Sequence, residues 1–321
     1  MLNPSDHIVI TGAAGFIASI VAEQLNVRGF HQLTLVDDFS RADKASNHEH
    51  LQCRQKIHRN DFMAWAQDQH DIKTIIHLGA RTDTTEMNYE IHKALNLDYS
   101  KAVWTYCTER QIPLLYASSA ATYGNGEQGY SDTLADISLL HPLNPYGQSK
   151  HDFDVWALQQ SNTPPHWYGL KFFNVYGPHE SHKGRMASVI FHAFHHIKQH
   201  GNMKLFRSHR EGIADGEQQR DFIYVFDVAN MLWWMAQHHP ANGLYNIGTG
   251  KAASFNALAH GVFEALNLAP NIEYIDTPID IREKYQYFTE ADMNRLHTAG
   301  YNQPLFDIRS GCLDYVRNYL M

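Results

Sequence analysis

A short strand, a glycine turn and a helix follow one another at the start of the chain, and this order most restricts the possible fold. Residues 7–11 form an apolar, β-branched run, which predicts a buried strand. Residues 12–18 follow with the spacing GxxGxxA, and the apolar residues Phe16, Ile20 and Leu25 then recur at helical intervals. A strand that leads through such a turn into a helix is typical of the first unit of a parallel α/β sheet.

Strand and helix patterns continue to alternate through the first half of the chain. Apolar runs over residues 33–36, 74–78 and 114–117 predict buried strands, and residues 89–110 predict a long helix. The pattern is less regular beyond Phe172, although a strand over 221–225 and a helix over 227–238 are expected, with an exposed acidic loop over 211–217. We therefore predict an α/β fold with a doubly wound parallel sheet, in which ligands bind at the carboxyl ends of the strands.

Composition excludes several classes of protein. The 321 residues carry 26 Lys and Arg against 34 Asp and Glu, a net charge of −8 that would not attract nucleic acid. The apolar runs are too short to span a membrane, and the polar start leaves no room for a signal peptide. Cys53, Cys107 and Cys312 form no CxxC pair. We expect a cytoplasmic enzyme with neither a nucleic-acid nor a membrane partner.

The glycine turn has the features of a dinucleotide site. Gly12 and Gly15 let the backbone approach a pyrophosphate, whose charge is stabilised at the helix N-terminus. Asp37 closes the second strand roughly 20 residues later, where a carboxylate can accept a hydrogen bond from the adenosine ribose.

The choice between NAD and NADP stays open on these residues alone. Asp37 and Asp38 would repel a 2′-phosphate, which favours NAD. Arg41, Lys44 and Arg59 follow in sequence and would neutralise such a phosphate, which favours NADP.

A second motif predicts acid–base chemistry. Tyr146 and Lys150 stand at i and i+4 on a helix that begins after Asn144 and Pro145. A tyrosine with a pKa near 10 is a poor base at neutral pH, and a nearby cation favours its phenolate. Ser119 follows the strand over 114–117, where its hydroxyl can bind a substrate oxygen beside Tyr146.

Together these motifs resemble the extended short-chain dehydrogenase/reductase family, with Ala18 in place of the usual third glycine. Ser119, Tyr146 and Lys150 match its catalytic triad. The resemblance implies a Rossmann domain and a hydride that moves between a substrate carbinol and a nicotinamide, mostly on nucleotide sugars. Dehydratases of the family carry an Asp-Glu pair after the catalytic Ser or Thr. Ala120 and Ala121 stand there in this chain, so we expect no dehydration.

Within this family, residues 182–189 and 284–286 are similar to the heptose 6-epimerases. That resemblance implies an epimerase that inverts carbon 6 of the heptose in ADP-D-glycero-D-manno-heptose for lipopolysaccharide core synthesis. A transient 6-keto sugar would turn over in the pocket and be reduced again on its other face. Tyr146 would exchange a proton with the carbon-6 oxygen in one orientation of the sugar, and Lys183 would do so in the other orientation. The resemblance also implies NADP with NAD tolerated, and Lys44 and Arg59 tip the choice towards NADP.

Further site residues are carried over from the same resemblance. The remaining cofactor contacts are Phe16, Ile17, Leu78, Gly79, Ala80, Arg81, Thr82, Asn96, Val175 and His182, with Lys150 shared between cofactor and catalysis. The expected substrate contacts are Asn174, Arg185, His192, Phe206, Arg207, Ser208, His209, Arg220 and Tyr285. Arg220 suits a diphosphate, because a guanidinium binds phosphate oxygens in a forked arrangement. Arg81, Arg185 and a long loop over residues 208–219 depart from the usual pattern.

The expected organisation has two lobes. A Rossmann domain is predicted over residues 1–173 with returning segments at about 221–251 and 286–298. A smaller mixed α/β substrate lobe would comprise residues 174–220, 252–285 and 299–321. The resemblance implies a homo-oligomer, a homopentamer in the family. His192, His196 and His200 share one helix face, yet the expected chemistry needs no metal and we predict none.

Two alternatives remain. One is another nucleotide-sugar epimerase or reductase of the same family, which would keep the triad and not depend on Lys183. The other is a non-catalytic NADP-binding regulator, although such proteins usually lose the Tyr or the Lys, and Tyr146 and Lys150 are both present.

Overall fold

The structure is a computed structural model that describes residues 1–282 and 285–321. In these residues the strands are β1 (His7–Thr11), β2 (Leu33–Asp37), β3 (Gln55–His58), β4 (Ile72–His77), β5 (Leu114–Ser119), β6 (Trp167–Phe172), β7 (Asn174–Tyr176), β8 (Met203–Phe206), β9 (Gln219–Arg220), β10 (Phe222–Tyr224), β11 (Gly243–Ile247), β12 (Ala253–Ser254) and β13 (Ile272–Ile275). The α-helices are α1 (Phe16–Val27), α2 (Ala45–His48), α3 (Phe62–Gln67), α4 (Tyr89–His92), α5 (Tyr99–Arg110), α6 (Pro145–Leu158), α7 (Val189–His200), α8 (Val225–His238), α9 (Phe255–Ala265), α10 (Ile279–Arg282), α11 (Asn294–Thr298) and α12 (Ile308–Tyr315).

A parallel sheet organises the first half of the chain, as the sequence predicts. Its seven strands within the described residues run in the order β3-β2-β1-β4-β5-β6-β11. The strand order reverses between β1 and β4, which opens a crevice at their carboxyl ends where ligands bind in doubly wound sheets. The prediction of an α/β, doubly wound fold is confirmed.

Helices cover both faces of this sheet, which explains the nearly continuous apolar runs of its central strands. In β1, Ile8 and Ile10 belong to one buried cluster and Val9 belongs to another, because successive side chains point to opposite faces. On the side of Ile8 lie α1 and α8, and on the side of Val9 lie α5 and α6, where Trp104 packs against Phe153.

Two elements differ from their predicted form. The predicted helix over residues 89–110 contains a π-helical stretch, Lys93–Asp98, between α4 and α5. The strand expected over 221–225 covers only Phe222–Tyr224, because α8 already begins at Val225. The loop over 211–217 lies between β8 and β9 and is largely exposed, as predicted.

Within residues 1–282 and 285–321, three two-stranded sheets lie outside the large sheet. β7 pairs with β10 and β8 with β13, both in parallel, and β9 pairs with β12 in antiparallel orientation. The chain leaves the large sheet after β6, returns at β11 and leaves again. The residue limits given above for the two lobes stay a prediction. In the described part of the chain, no helix is long and apolar enough to cross a membrane.

Candidate active site

The glycine turn after β1 contacts the turn after β4 directly. Gly12 has a φ of +72°, and a Cβ atom there would lie 2.7 Å from the Cα of Gly79. A Cβ on Gly79 would lie 3.1 Å from the nitrogen of Gly12. Two stretches of backbone therefore meet with no room for side chains, beside the start of α1. This is the shape that a pyrophosphate needs in order to approach backbone N–H groups.

Asp37 holds the same turn from the other side. Its buried carboxylate accepts hydrogen bonds from the backbone N–H of Ala14 at 2.9 Å and of Asp38 at 2.7 Å. The Lys44 ammonium lies 3.5 Å from its Oδ1. The sequence predicts a ribose contact for Asp37. The structure adds a second role, because this carboxylate also fixes the glycine turn against the end of β2.

Basic residues surround the end of β2 and β3. A hydrogen bond from Ser40 is the main cause that lowers the pKa of Asp38, with smaller contributions from His58 and Arg59. The backbone N–H of Arg59 donates to the carbonyl of Asp37 at 3.1 Å. Lys44 and Arg59, which the sequence assigns to the cofactor, thus both lie beside the two aspartates.

A chain of hydrogen bonds lies beneath the turn after β4. The Gly79 N–H donates to Thr11 Oγ1 at 3.1 Å, and that hydroxyl lies 2.6 Å from Nδ1 of His77. The other ring nitrogen of His77 lies 3.0 Å from Ser100 Oγ. Burial, with a smaller effect of the Lys150 charge, lowers the pKa of His77 to about 3. His77 is therefore a neutral support for the floor of the crevice.

Asn96 connects this floor to the catalytic helix. Its side chain accepts from the N–H of Arg81 at 2.7 Å and donates to the carbonyl of Arg81 at 3.0 Å. It also donates to Ser149 Oγ at 2.9 Å, which joins the turn to α6. Asn96 lies in the π-helical stretch, and such stretches are frequent at functional sites.

The remaining predicted cofactor contacts follow β4 or lie in α1 and β7. Leu78, Gly79 and Ala80 are half-buried after β4, whereas Arg81 and Thr82 are exposed. Ile17 in α1 and Val175 in β7 are half-buried.

The start of α6 places the catalytic tyrosine. Pro145 is in the first turn of the helix, where its missing N–H costs nothing. The side-chain oxygen of Asn144 accepts from the N–H of Gly147 at 2.8 Å, which caps the helix. Tyr146 follows in the first turn and shares a hydrogen bond with Ser119 at the end of β5. The structure therefore brings together the serine and tyrosine that the sequence singles out.

Lys150 is buried against β5. Its ammonium donates to the carbonyl of Ala117 at 2.8 Å. Burial lowers the pKa of Lys150 to about 8, against a smaller upward effect of Asp154. Burial also raises the pKa of Tyr146, and only the Ser119 hydrogen bond opposes this shift. The expectation that Lys150 favours the phenolate of Tyr146 stays a prediction, since burial of the tyrosine is the dominant cause of this shift.

A buried ion pair behind α6 was missed by the sequence analysis. Asp154 and Lys171 lie 3.0 Å apart and are almost fully buried. Ser118 donates to Asp154 at 2.6 Å, and Lys171 also donates to Thr122 at 2.6 Å. The available signal was Lys171 itself, because a lysine inside an apolar strand needs a buried partner.

The segment that carries Lys183 lies against the start of α1. Lys183 Nζ is 5.1 Å from the centre of the Phe16 ring, beside the glycine turn. Burial lowers the pKa of Lys183, and Glu180 opposes this shift. Burial also lowers the pKa of His182 to about 4, with smaller effects of Lys44 and Lys183. Lys183 and His182 are therefore close to the predicted cofactor residues.

Arg220, Tyr285 and Phe206 form one cluster, as expected for substrate contacts that act together. The guanidinium of Arg220 lies 5.5 Å from the Tyr285 ring and 5.8 Å from the Phe255 ring. Phe206 meets Tyr285 edge to face at 5.8 Å. Burial lowers the pKa of Arg220, yet the group stays cationic because an arginine loses its proton only far above neutral pH.

The loop after β8 holds the next three predicted contacts. Arg207 lies 3.9 Å from Asp215 and 3.4 Å from Asp276, and it is half exposed. The N–H of Ser208 donates to Asp215 at 2.8 Å, and the N–H of His209 donates to Tyr287 at 2.9 Å.

The other expected substrate residues are exposed. Arg185 donates to the hydroxyl of Thr85. Arg81, which is expected to contact the cofactor, is also exposed and pairs with Asp83 at 3.2 Å. Asn174 is exposed at the start of β7, and His192 lies on the exposed face of α7. Lys284, part of a motif cited above, lies outside the described residues.

Comparisons with known proteins agree with this geometry. Residues 8–248 match the model of the NAD dependent epimerase/dehydratase family. A chain from Fusobacterium nucleatum named ADP-L-glycero-D-manno-heptose-6-epimerase is 43% identical, with 98% of each chain covered. A chain of the same name from Nitratidesulfovibrio vulgaris is 43% identical, with 97% of each covered. The crystal structure of the Helicobacter pylori ADP-L-glycero-D-manno-heptose-6-epimerase superposes with a TM-score of 0.82 at 26% identity, over 98% of this chain and 96% of that one.

Proposed function

The chain belongs to the NAD dependent epimerase/dehydratase family, and from this premise we propose that it converts ADP-D-glycero-D-manno-heptose into its L-glycero epimer. The observation that carries the proposal is the 43% identity, over nearly the full length, to chains named as epimerases of this heptose. The reaction would serve lipopolysaccharide core synthesis, in the cytoplasm. Assembly into a homo-oligomer, a pentamer by resemblance to the family, is part of the proposal.

The catalytic residues have distinct tasks in this scheme. A nicotinamide cofactor, which the turn of Gly12 and Gly15 would hold, would supply reversible hydride transfer at carbon 6. Tyr146 takes the proton of the carbon-6 hydroxyl, and Ser119 holds that oxygen through a hydrogen bond. Lys150, anchored on the carbonyl of Ala117, keeps a positive charge beside the phenol. After the 6-keto sugar turns over, Lys183 is the proton partner of its carbonyl oxygen.

The cofactor in this proposal is NADP, with NAD tolerated. Lys44 and Arg59 approach the end of β2, where a 2′-phosphate would lie beside Asp37 and Asp38. Two cations there offset the repulsion of two carboxylates. The relative affinities for NADP and NAD, measured on cofactor-free protein, would test this choice.

The direct test is an NMR time course of the purified protein with ADP-D-glycero-D-manno-heptose and no added cofactor. We expect the L-glycero epimer to appear, because a tightly held nicotinamide is regenerated in each cycle. Tyr146→Phe is the matched control and should bind cofactor without turnover. An unchanged sugar in the presence of protein-bound cofactor would contradict the substrate assignment and leave the family intact.

A second candidate is epimerisation or reduction of a different nucleotide sugar. Arg81 and Arg185 favour it, since both exposed guanidinium groups stand where the family usually has small residues. A panel of nucleotide sugars in the same assay distinguishes the two, because only one class would turn over.

A further inference from the structure

Three side chains with metal-binding atoms meet on the surface beside α1. Among the described residues, Glu23, His50 and His179 are the group whose ligand atoms all lie within 4.8 Å of one another. Nε2 of His50 and Nε2 of His179 each lie 3.6 Å from the same carboxylate oxygen of Glu23. The three come from α1, the turn after α2 and the loop after β7. We propose that Glu23, His50 and His179 bind a zinc-class divalent cation.

The distances fit a shared cation better than direct hydrogen bonds. A nitrogen–oxygen hydrogen bond in proteins measures about 2.7–3.2 Å, so two contacts of 3.6 Å are too long. Ligand atoms around a tetrahedral zinc lie about 3.3 Å apart, given metal–ligand bonds of about 2.0–2.1 Å. The two histidine–glutamate distances would each shorten by about 0.3 Å in such a site, and the three ligand atoms already lie within 4.8 Å of one another.

Hydrogen bonding fixes the orientation of the His179 ring. The Ser19 hydroxyl donates its proton to the carbonyl of Phe16 at 2.9 Å. Its oxygen also lies 2.9 Å from Nδ1 of His179 and accepts from that nitrogen when the ring carries its proton there. The proton on Nδ1 leaves Nε2 of a neutral ring with a lone pair that faces Glu23. Metal-binding histidines are typically held in this way by a partner on the other ring nitrogen.

The backbone of His179 is also held in an unusual conformation. Its φ of +73° lies in the left-handed region, which few residues other than glycine adopt. Asn47 donates to the carbonyl of His179 at 3.1 Å and to the carbonyl of Ala14 at 3.2 Å. The proposed site is thereby linked to the glycine turn.

The donor set indicates the type of metal. Two imidazoles and one carboxylate suit Zn²⁺, and such a set leaves one coordination position for water. All three side chains are partly exposed, so an ion can enter from solvent. Because His179 precedes Lys183 by four residues, a bound ion would fasten the segment of Lys183 to α1.

The test uses the untagged full-length protein, stripped with a chelator and titrated with Zn²⁺ against a chromophoric competitor. We expect one site per chain in the wild type. Glu23→Gln and His50→Gln should each weaken that site at least about tenfold, since even partners outside the ligand set cost this much. His196→Gln is the matched control, because His196 and His200 form a separate pair on α7 with rings 4.5 Å apart.

The outcomes separate clearly. Full affinity in His196→Gln with weakened binding in the other two variants supports the site. A wild type that binds no zinc, equal affinity in all four proteins, or a loss confined to His196→Gln would overturn the proposal. A zinc-dependent rise in melting temperature that is present in wild type and absent in His50→Gln would confirm that the folded site binds the ion. Circular dichroism without zinc verifies that each variant folds.

Discussion

The proposed mechanism needs two residues that exchange protons with the substrate, Tyr146 and Lys183. Its dependence on Lys183 distinguishes it from the mechanism of a simple reductase. We predict that Lys183→Ala retains bound cofactor while epimerisation falls by about 10²–10⁴-fold, the usual contribution of a positioned acid or base. Cofactor content and the NMR time course measure the two effects separately. Lys204→Ala is the control, because Lys204 is half exposed and pairs only loosely with Glu273 at 3.8 Å. Normal turnover in Lys183→Ala would contradict the role of Lys183.

Lys150 illustrates a conflict between function and stability. Its pKa in the folded protein is about 8, below its ordinary value of 10.5. Between these two pH values the unfolded chain binds more protons than the folded one, so the free energy of unfolding rises with pH. Below pH 8 Lys150 is charged in both states, and burying that charge lowers the free energy of unfolding by roughly 3 kcal/mol. The hydrogen bond from Lys150 to the carbonyl of Ala117 stabilises the folded state by about 1 kcal/mol.

We therefore predict that Lys150→Met loses turnover and raises the free energy of unfolding at pH 7 by about 1–2 kcal/mol. Most of the gain should be lost as the pH approaches 10.5, where the wild-type lysine is neutral in the folded state and half neutral in the unfolded state. Urea unfolding at several pH values measures the difference. Exposed Lys251 gives the control, since Lys251→Met should change stability little at any pH. A gain independent of pH would contradict the explanation.

At the same scale, local spacing is what made the catalytic residues predictable. Tyr146 and Lys150 share a helix face, and Ser119 ends a strand, so short-range patterns locate all three. The partners of Lys150 and Asp37 were not predictable, because Ala117 and Ala14 approach them only through the packing of the sheet. The upward shift of the Tyr146 pKa was not predictable for the same reason, since burial cannot be read from helix spacing.

The ion pair of Asp154 and Lys171 joins two elements, α6 and β6. We predict that Asp154→Leu lowers the free energy of unfolding by about 3–5 kcal/mol, because it leaves a buried ammonium without its counter-charge. Asp154→Leu combined with Lys171→Met should cost less than Asp154→Leu alone. Denaturant unfolding of both single variants and the double variant gives the coupling energy.

A surface ion pair provides the control for the variants of Asp154 and Lys171. Glu264 and Arg309 form an exposed pair, so Glu264→Gln should cost less than about 1 kcal/mol. If the effects of the two single substitutions on the free energy of unfolding simply add in the double variant, the buried ion pair does not stabilise the contact between α6 and the sheet.

Buried strands were predictable where their apolar runs are uninterrupted. β6 and β11 are fully buried and were missed, because Lys171 and Asn246 interrupt their apolar runs. Strands β1, β2, β4 and β5 are apolar runs and were found. Strand β3 was missed, because an edge strand with the sequence Gln-Lys-Ile-His alternates between half-buried and exposed side chains. The π-helical stretch was missed because its altered hydrogen bonds leave no mark on apolar spacing.

For the whole molecule, the proposed assembly can be measured directly. We predict that light scattering on purified protein gives a mass several times that of the 36.8 kDa chain. A closed ring has one dominant mass that does not grow with protein concentration. A mass of one chain at micromolar concentration would contradict the homo-oligomer. The resemblance of motifs across most of the sequence predicted the family at this scale, whereas subunit contacts depend on surfaces that no single-chain motif describes.

The interleaved small sheets affect how such a gene can evolve. β8 and β9 precede β11, whereas their partners β13 and β12 follow it. A recombination event between two related genes near β11 would therefore pair strands from different parents in both small sheets at once. The strands of these two small sheets therefore cannot be inherited together in one gene segment that excludes β11. New sugar preferences in this scaffold are accordingly expected to arise from accumulated point mutations, or from the coordinated exchange of two distant gene segments.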